Sequence, residues 1–376
     1  MTIFDIETCN IFIYLRYTQA NAMKSYDFSR RSFMKATAGI GAASSTLVSG
    51  CLSSSGSESG GDTSSIDFDT IEGNLNIMLF RSGMEQGFWE EEGVSLNLEQ
   101  VPFGRYTTSM TSGGNDVGIM GYPIFCQYND GEYDFVHFGP CITQINSILV
   151  PADSDLESVE DLQGATLGHP GWQTATATLM RGLISDQFGF DIREETEGVQ
   201  SQPSTLWSLM VDQGDIDAMV QFTGQTVRGL ASPDEVRPLY NAWEGWEEQT
   251  GYPPLITPFT TTRSYLEENP ENVLAVAEGW KSAQEYFLNN TESVVSEYGE
   301  LAGLSDEANR ETIVELAQNG SMTHPVEEYD SELIDSQWQL LNVLNDLDLV
   351  PSVPEREDHV ISISDLRSMA GATPTE

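Results

Sequence analysis

Residues 165–189 have the sequence ATLGHPGWQTATATLMRGLISDQFG, and this stretch decides the fold. A short strand that opens at Leu167 runs into a glycine-rich loop, and the apolar spacing then predicts a helix over 174–187. The alternation continues with a strand over 192–199, a helix over 203–213 and a strand over 216–222. Short strands that alternate with helices predict a parallel α/β sheet.

The segment before this stretch has the same order of elements. Strands are predicted over 75–80 and 95–101 with a helix over 84–92 between them, followed by strands over 116–121, 135–138 and 145–150. Beyond Pro258 the pattern becomes helical, with helices predicted over 270–288, 291–301, 306–319 and 330–347. About 300 residues in such units exceed one ordinary core, so the predicted fold class is α/β with two lobes.

Two lobes imply that the chain crosses between them twice. We place these crossings near Val150–Ser154 and Leu255–Thr261. Residues 66–153 then form the first part of lobe 1, 154–254 form lobe 2, and 255–376 return to lobe 1 as helices. A cleft is expected between the lobes, because ligands of open α/β sheets bind in such crevices.

The chain is strongly acidic, with 16 lysine and arginine residues against 59 aspartate and glutamate residues and a net charge of −43. Acidic residues are interspersed with aromatic and aliphatic ones, which favours a folded chain over a disordered one. Molar salt shortens the Debye length to about 3 Å and would screen the self-repulsion. Depletion of lysine with a spread-out acid excess resembles proteins of extreme halophiles. Nucleic acid is excluded as a partner, since phosphate contacts need a basic face.

The N-terminal region has the features of an export signal. Arg30 and Arg31 precede an apolar run that is too short, and too rich in Gly, Ser and Thr, to span a bilayer. Paired arginines before such a run are typical of a twin-arginine signal. We therefore interpret residues 1–50 as a signal region and Met23 as its true start.

The cysteines fit an exported protein. Small residues lead into Cys51 as in a lipobox, so we expect a lipidated Cys51 at the start of a Ser- and Gly-rich tether over 51–65. Cys126 and Cys141 remain in a compartment that permits a disulfide, but we favour two buried free thiols. No metal or cofactor is expected, because the histidines lack zinc-like spacing. They are His137, His169, His324 and His359.

Four motifs occur along the chain in a fixed order. The first two are GFWEEEGV at 87–94 and SGGNDVG at 112–118. The other two are SVEDLQGATLG at 158–168, where Gln163 stands in place of a usual lysine, and QGDIDAM at 213–219. Together they resemble the extracytoplasmic solute-binding proteins of ABC importers for nitrate, sulfonates, taurine and thiamine precursors.

This resemblance implies a two-lobed periplasmic-binding-protein type II fold with C-terminal helices on lobe 1. It implies a membrane-anchored protein, expected to be a monomer, that closes on a solute and presents it to the permease and ATPase subunits of an importer. We favour a sulfonate-, taurine- or nitrate-like anion, with a thiamine-precursor-like pyrimidine as the alternative. A pyrimidine-synthase-like enzyme on the same fold would need a cysteine-rich loop, which this chain lacks. A lipoprotein that senses or scavenges without an importer is a further alternative.

Ligands of open sheets bind at the carboxyl ends of strands and at helix N-termini. This rule selects four clusters of candidate ligand-binding residues: Arg81, Ser82 and Gly83; Tyr122; Trp172, Gln173 and Thr174; and Gln221 and Phe222. No catalytic residue is expected among them.

Each cluster has a structural alternative. The Arg81 guanidinium would pair with a carboxylate or sulfonate, or else form an exposed salt bridge. Thr174 would help to hold an anion at a helix start, or simply cap the helix. The aromatic residues Trp172, Tyr122 and Phe222 would stack on a flat ligand, or else belong to the core.

Overall fold

Strands and helices alternate along the chain, as the sequence predicts for an α/β fold. The computed structural model describes residues 63–372 except Gln144 and Ser305. Its strands are β1 (Ser64–Ile71), β2 (Val94–Val101), β3 (Val117–Ile119), β4 (Phe135–Gly139), β5 (Ser147–Pro151), β6 (Thr166–His169), β7 (Glu197–Gln200), β8 (Ala218–Val220), β9 (Val236–Asn241) and β10 (Phe259–Thr262).

The α-helices carry most of the chain between and after these strands. They are α1 (Asn76–Gln86), α2 (Phe88–Glu91), α3 (Phe103–Ser112), α4 (Tyr122–Asn129), α5 (Ala175–Phe188), α6 (Ile192–Glu195), α7 (Pro203–Trp207), α8 (Thr223–Leu230), α9 (Ala242–Thr250), α10 (Arg263–Glu268), α11 (Pro270–Asn289), α12 (Thr291–Tyr298), α13 (Glu307–Gln318), α14 (Ser331–Asp346), α15 (Arg356–His359) and α16 (Ile363–Met369). The last long helices, from α11 onward, follow the predicted helical pattern closely.

The N-terminal predictions fall outside the described range. The signal region 1–50, Cys51 and all but the last three residues of the tether lie outside it. β1 begins at Ser64, two residues before the predicted start of the folded part. Ile66 and Phe68 on one face of β1 are fully buried, and the strand pairs in parallel with β2.

The strand predicted over 75–80 is wrong, because residues 76–80 form the first turns of α1. All of these residues are buried, and a run that is apolar on almost every side does not distinguish a buried strand from a buried helix. α1 is enclosed because α11 packs along it. Gly83 leaves the space that Trp89 and Ala283 fill at that contact.

The strand predicted over 192–199 also starts too early. The Asp191 side chain accepts a hydrogen bond from Arg193 N–H at 2.9 Å and thereby caps α6. The chain becomes extended only at β7. The helix predicted over 203–213 begins as α7 and continues as a π-helical segment to Gln213.

Lobe 1 contains β1 to β4 and β10, which form a two-stranded sheet, β1-β2, and a three-stranded sheet, β3-β10-β4, that is not parallel. β10 lies between β3 and β4 and runs antiparallel to both. β1 and β2 form a parallel pair beside β3. The prediction of a purely parallel sheet is wrong here because β10 returns from the other lobe and enters in the opposite direction.

Lobe 2 contains β5 to β9 in the order β7-β6-β8-β5-β9. β6 is parallel to β7 and β8, whereas β5 is antiparallel to β8 and β9. Because β5 begins at Ser147, the chain reaches the second sheet earlier than the crossing predicted at Val150–Ser154. The β3-β10-β4 sheet and the lobe 2 sheet therefore each contain one strand that is antiparallel to its neighbours, and in both cases it is the strand that follows a crossing.

The helices after β10 pack mainly on lobe 1, where α11 contacts α1, α2 and α16. Arg367 on α16 bonds Glu278 at 2.7 Å and Glu327 at 2.6 Å, which ties this helix to α11. α14 also reaches lobe 2, where Gly182 of α5 leaves room for Leu344. The C-terminal helices thus contact both lobes.

The acidic side chains face solvent. Asp69 is the only acidic residue of the described part that is buried. None of the helices within 63–372 is both long and apolar enough to cross a membrane. The excess negative charge is therefore a property of the surface and not of the core.

Candidate solute-binding cleft

Two connectors join the lobes and pair with each other. The first runs from β4 to β5 and the second from α9 to β10. Thr143 and Leu255 form an antiparallel bridge, and Ile256 N–H donates to the Ile142 carbonyl at 3.3 Å. We call this paired link, residues 140–143, 145, 146 and 251–258, the hinge.

Residues near the C-terminus hold the hinge. Gln337 on α14 is fully buried, and its Oε1 accepts a hydrogen bond from Leu255 N–H at 2.8 Å. Its Nε2 donates to the Pro253 carbonyl at 3.0 Å. On the other connector, Thr143 N–H donates to the Met322 carbonyl at 3.3 Å. Both connectors are therefore fixed to the C-terminal part of the chain.

Three helices begin where the lobes face each other. α4 begins after Gly121 in lobe 1, and α5 and α8 begin after Thr174 and Phe222 in lobe 2. The unpaired N–H groups of a first helical turn carry partial positive charge. A Cβ built on Gly121 would lie 3.0 Å from the Cβ of Ala175, so the starts of α4 and α5 are in contact. We call the space between these helix starts and the hinge the cleft.

Asn146 connects the lobe 2 helix starts to the hinge. It is fully buried, and its Nδ2 donates to the Gln221 carbonyl at 2.9 Å and to Thr176 Oγ1 at 3.3 Å. Its Oδ1 accepts from Thr223 Oγ1 at 3.4 Å. Asn146 is not among the residues predicted from the sequence, because it lies inside the strand predicted over 145–150. A polar amide within an apolar run at a crossing is the signal that would have found it.

Two further polar side chains near the hinge are buried. Gln221 is fully buried, and its Nε2 lies 3.0 Å from Met219 Sδ. Thr257 lies in the second connector, where its Oγ1 is buried without a hydrogen-bond partner among the residues that the structure describes. An unpaired buried hydroxyl costs about 1–3 kcal/mol. Thr257 is therefore a candidate for solute contact that the sequence did not single out.

Trp172 is half-buried and stacks on His169, with 3.9 Å between ring centroids. The Arg181 guanidinium lies 5.9 Å from the Trp172 ring and also bonds Asp191 at 2.9 Å. His169 Nδ1 accepts from Gly171 N–H at 3.2 Å, and burial lowers the pKa of His169 to about 4. His169 is therefore neutral at pH 7, and one face of Trp172 is already covered.

Thr174 caps α5. Its Oγ1 accepts from Ala177 N–H at 3.3 Å and donates to the Gly171 carbonyl at 2.8 Å. The helix-capping alternative is thus confirmed for Thr174. Gln173 next to it is exposed.

Tyr122 belongs to the lobe 1 core. It is 1% exposed, and its ring lies edge-on to His137 at 5.1 Å and to Trp338 at 6.4 Å. Burial raises the pKa of Tyr122 well above its usual value. Phe222 differs, since it is 36% exposed at the start of α8.

The predicted position of Arg81, Ser82 and Gly83 after a strand is wrong, because all three lie within α1. The Arg81 guanidinium is 3.5 Å from the Leu98 carbonyl of β2, and the Ser82 hydroxyl donates to the Leu79 carbonyl at 3.2 Å. The predicted solute contact of this cluster depended on a strand end that the chain does not have there.

Cys126 and Cys141 are free and buried, which confirms the favoured alternative to a disulfide. Burial raises the pKa of both thiols to about 12, so neither is a thiolate at neutral pH. Asn76 Nδ2 lies 3.6 Å from Cys141 Sγ, and Asn76 Oδ1 accepts from Thr70 Oγ1 at 2.9 Å. These contacts join buried polar side chains near the end of β1 and are structural.

Each of the eleven basic side chains between residues 63 and 372 has a partner. Arg105, Arg181, Arg193, Arg263, Lys281, Arg310, Arg356 and Arg367 pair with carboxylates, Arg81 and Arg237 donate to backbone carbonyls, and Arg228 lies over the Trp207 ring at 3.9 Å. In the same range no three His, Cys, Asp or Glu side chains lie together as metal ligands.

Two lobes joined by a paired hinge, with helix starts from both lobes at the cleft, define a two-lobed periplasmic-binding-protein type II fold. Residues 74–293 match the family described as NMT1/THI5 like, and the match spans more than half of the chain. The protein therefore belongs to the NMT1/THI5-like family. The family resemblance that the four motifs predicted is confirmed.

Several solved structures share this fold. The periplasmic aliphatic sulphonate binding protein SsuA from Escherichia coli has a TM-score of 0.64 at 17% identity, over 79% of this chain and 92% of that chain. The alkanesulfonate-binding protein SsuA from Xanthomonas axonopodis pv. citri, bound to MOPS, has a TM-score of 0.59 at 16% identity, over 81% and 97%. The periplasmic nitrate-binding protein NrtA from Synechocystis PCC 6803 has a TM-score of 0.59 at 12% identity, over 82% and 89%. No curated protein sequence matches the chain.

Proposed function

We propose that this protein is an extracytoplasmic, lipid-anchored solute-binding protein that captures a small solute between its lobes and delivers it to an ABC importer. The family and the fold support this role. The observation that carries it is the contact of α4 with α5 across the hinge, beside the buried polar residue Asn146. The protein acts as a monomer without enzyme activity, and its partners are the permease and ATPase subunits.

The first candidate solute is a small anion of the sulfonate, taurine or nitrate class. The starts of α4, α5 and α8 lie at the cleft in this proposal, and helix starts can bind anions through backbone N–H groups without a basic side chain. Trp172, Gln173, Gln221 and Phe222 line the lobe 2 side in this proposal, with Thr257 at the hinge. Arg81 is not needed.

The second candidate solute is a thiamine-precursor-like pyrimidine. It is favoured by the stacked pair His169 and Trp172 and by the exposed ring of Phe222. It is also favoured because every described basic side chain already interacts with a carboxylate, a backbone carbonyl or an aromatic ring of the protein. A neutral ring would take hydrogen bonds from buried amides and stack on an aromatic face.

A thermal-shift screen in about 2–3 M KCl tests the function, since this salt screens the surface charge. Nitrate, ethanesulfonate, taurine and a hydroxymethylpyrimidine serve as probes, and a ligand that binds only the folded state raises Tm. A saturable rise with the anions supports the first candidate, and a rise with the pyrimidine alone replaces it by the second. No rise with any probe removes both solute classes.

Variants of the lobe 2 side sharpen the screen. Phe222→Ala removes an exposed ring and leaves the helix starts intact, so it should weaken pyrimidine binding about tenfold and anion binding less than threefold. The control is Leu347→Ala, which truncates a similarly exposed apolar side chain at the end of α14. Equal losses of anion and pyrimidine binding in Phe222→Ala would contradict the two-class distinction.

The membrane anchor is Cys51, and export follows the twin-arginine route. These two proposals rest on the sequence around Arg30, Arg31 and Cys51. Cys51→Ser should move the protein from the membrane fraction to the medium, whereas Arg30→Lys with Arg31→Lys should keep it inside the cell. Retention of Cys51→Ser in washed membranes would contradict lipidation.

The surface charge is an adaptation to high salt. The described acidic residues are exposed or half-buried apart from Asp69, so their repulsion acts largely through solvent and is screened by salt. Tm should rise steeply between about 0.1 and 2 M KCl. A flat response of Tm to KCl would contradict this adaptation.

A further inference from the structure

The lobes touch at a glycine. Gly121 follows β3 and precedes α4 in lobe 1, Ala175 is the first residue of α5 in lobe 2, and Ile256 lies in the hinge. A Cβ built on Gly121 would lie 3.0 Å from Ala175 Cβ and 3.2 Å from the Ile256 carbonyl oxygen. Atoms of both lobes and of the hinge therefore surround the space that a side chain at position 121 would occupy.

The backbone at this position does not require glycine. Gly121 has φ −68° and ψ 142°, a conformation that any L-residue adopts. Gly171 in the facing loop is different, since its φ of 127° favours glycine for conformational reasons. What glycine provides at position 121 is space for the opposite lobe.

We propose that Gly121 sets how far the two lobes close and, through that, which solutes the cleft retains. This inference rests on the proposed function. A methyl group at position 121 would hold α4 and α5 apart by a few tenths of an ångström, and a branched side chain would hold them further apart. Hydrogen bonds from helix starts to a solute depend on donor–acceptor distances of about 2.7–3.2 Å, so small solutes lose their contacts to one lobe first.

Substitutions at position 121 should weaken the binding of small solutes more than that of larger ones. Gly121→Ala should weaken binding of the small probe nitrate about tenfold and of the larger probe ethanesulfonate about threefold or less. Gly121→Val should weaken both by more than tenfold. Ala175→Gly in the Gly121→Ala background removes the facing methyl group and should restore part of the nitrate affinity, because the two positions contact each other.

The control is Gly139→Ala. Gly139 also lies in lobe 1, but its Cβ would meet only Phe259 at 3.6 Å and Ile363 at 3.9 Å, which are ordinary contacts within the lobe. It should leave closure and affinity unchanged. A fall in affinity in Gly139→Ala as large as in Gly121→Ala would show that any added methyl group in lobe 1 disturbs binding.

A distance measurement tests closure without depending on the solute. Spin labels at Glu132→Cys in lobe 1 and Asp212→Cys in lobe 2, both exposed, are placed in the full chain with Cys9→Ser and Cys51→Ser, because Cys126 and Cys141 are buried. The protein with Gly121 should show a population in which the two spin labels are close together, and the Gly121→Val variant should lack this population. The inference is overturned if that population is missing from the Gly121 chain or persists in Gly121→Val. If no probe binds, the proposed function fails for these solutes, while the distances still decide the role of Gly121.

Discussion

Four candidate residues, two from each side of the cleft, differ in how deeply they are buried. On the lobe 1 side, Tyr122 and Ser82 are buried within the core. On the lobe 2 side, Trp172 and Phe222 keep part of their rings exposed at helix starts. Truncation of Tyr122 or Ser82 should therefore act on stability, and truncation of Trp172 or Phe222 should act on solute affinity. A position near a sheet edge therefore does not by itself indicate a binding residue.

The largest effect is expected in lobe 1. Tyr122→Ala removes a ring that contacts His137 and Trp338, so it should lower the free energy of unfolding by about 3–5 kcal/mol. Urea titration in about 2 M KCl measures this loss. The matched lobe 2 variant is Phe222→Ala, which should cost less than about 1 kcal/mol. Similar losses of unfolding free energy in the two variants would contradict the difference between the two sides of the cleft.

Asn146→Ala should affect both properties. It leaves the Gln221 carbonyl and the Thr176 and Thr223 hydroxyls without their hydrogen bonds to Asn146, at a cost of about 2–3 kcal/mol. Solute affinity should fall at the same time, because Asn146 positions the starts of α5 and α8. The control is Asn97→Ala, because Asn97 is an exposed residue of β2. An Asn146→Ala protein with normal affinity and lower stability would place Asn146 outside the site.

Thr257→Val should raise the free energy of unfolding by about 1 kcal/mol, because it removes a buried hydroxyl that lacks a partner. Solute affinity should fall, because the same hydroxyl is proposed to contact the solute. Thr260→Val is the control, since Thr260 Oγ1 lies 2.9 Å from His137 Nδ1 and its loss should destabilise the protein. Unchanged affinity in Thr257→Val would remove Thr257 from the site.

The histidines give each lobe its own pH response. Burial lowers the pKa of His137 in lobe 1 to about 3 and of His169 in lobe 2 to about 4, against about 6.5 in the unfolded chain. The unfolded chain thus binds more protons below pH 6.5, so stability is full above 6.5 and falls as pH drops towards 4. His169→Gln should flatten this fall, measured as the urea midpoint between pH 4.5 and 7. If the urea midpoint falls equally with pH in the unchanged protein and in His169→Gln, the neutral buried state of His169 is contradicted.

The smallest effect is expected for Arg81→Ala. Its guanidinium lies 3.5 Å from the Leu98 carbonyl, and Arg81 lies within α1 rather than at the end of a strand. Solute affinity should therefore change less than twofold. Isothermal titration with ethanesulfonate measures this. A tenfold loss of solute affinity would place Arg81 in the binding site and would contradict the contrast between the two sides of the cleft.

The sequence predicted those features that depend on local signals. β2 and α11 were found from alternation and from a proline at a helix start, and a helix cap was one of the two alternatives given for Thr174. The prediction failed at residues 75–80, where burial on all sides removes the periodicity that separates helix from strand. Asn146 was missed because its partners lie 30 to 77 residues away in the chain.

Gln337 has a consequence for the timing of hinge motion. Its side chain holds both the N–H group of Leu255 and the carbonyl of Pro253, so that part of the connector is tied to α14. Amide hydrogen exchange at Leu255 requires this bond to open. Slow exchange at Leu255 with faster exchange at Ile256, whose N–H bonds the other connector, would mean that the lobes turn about a fixed point at Gln337.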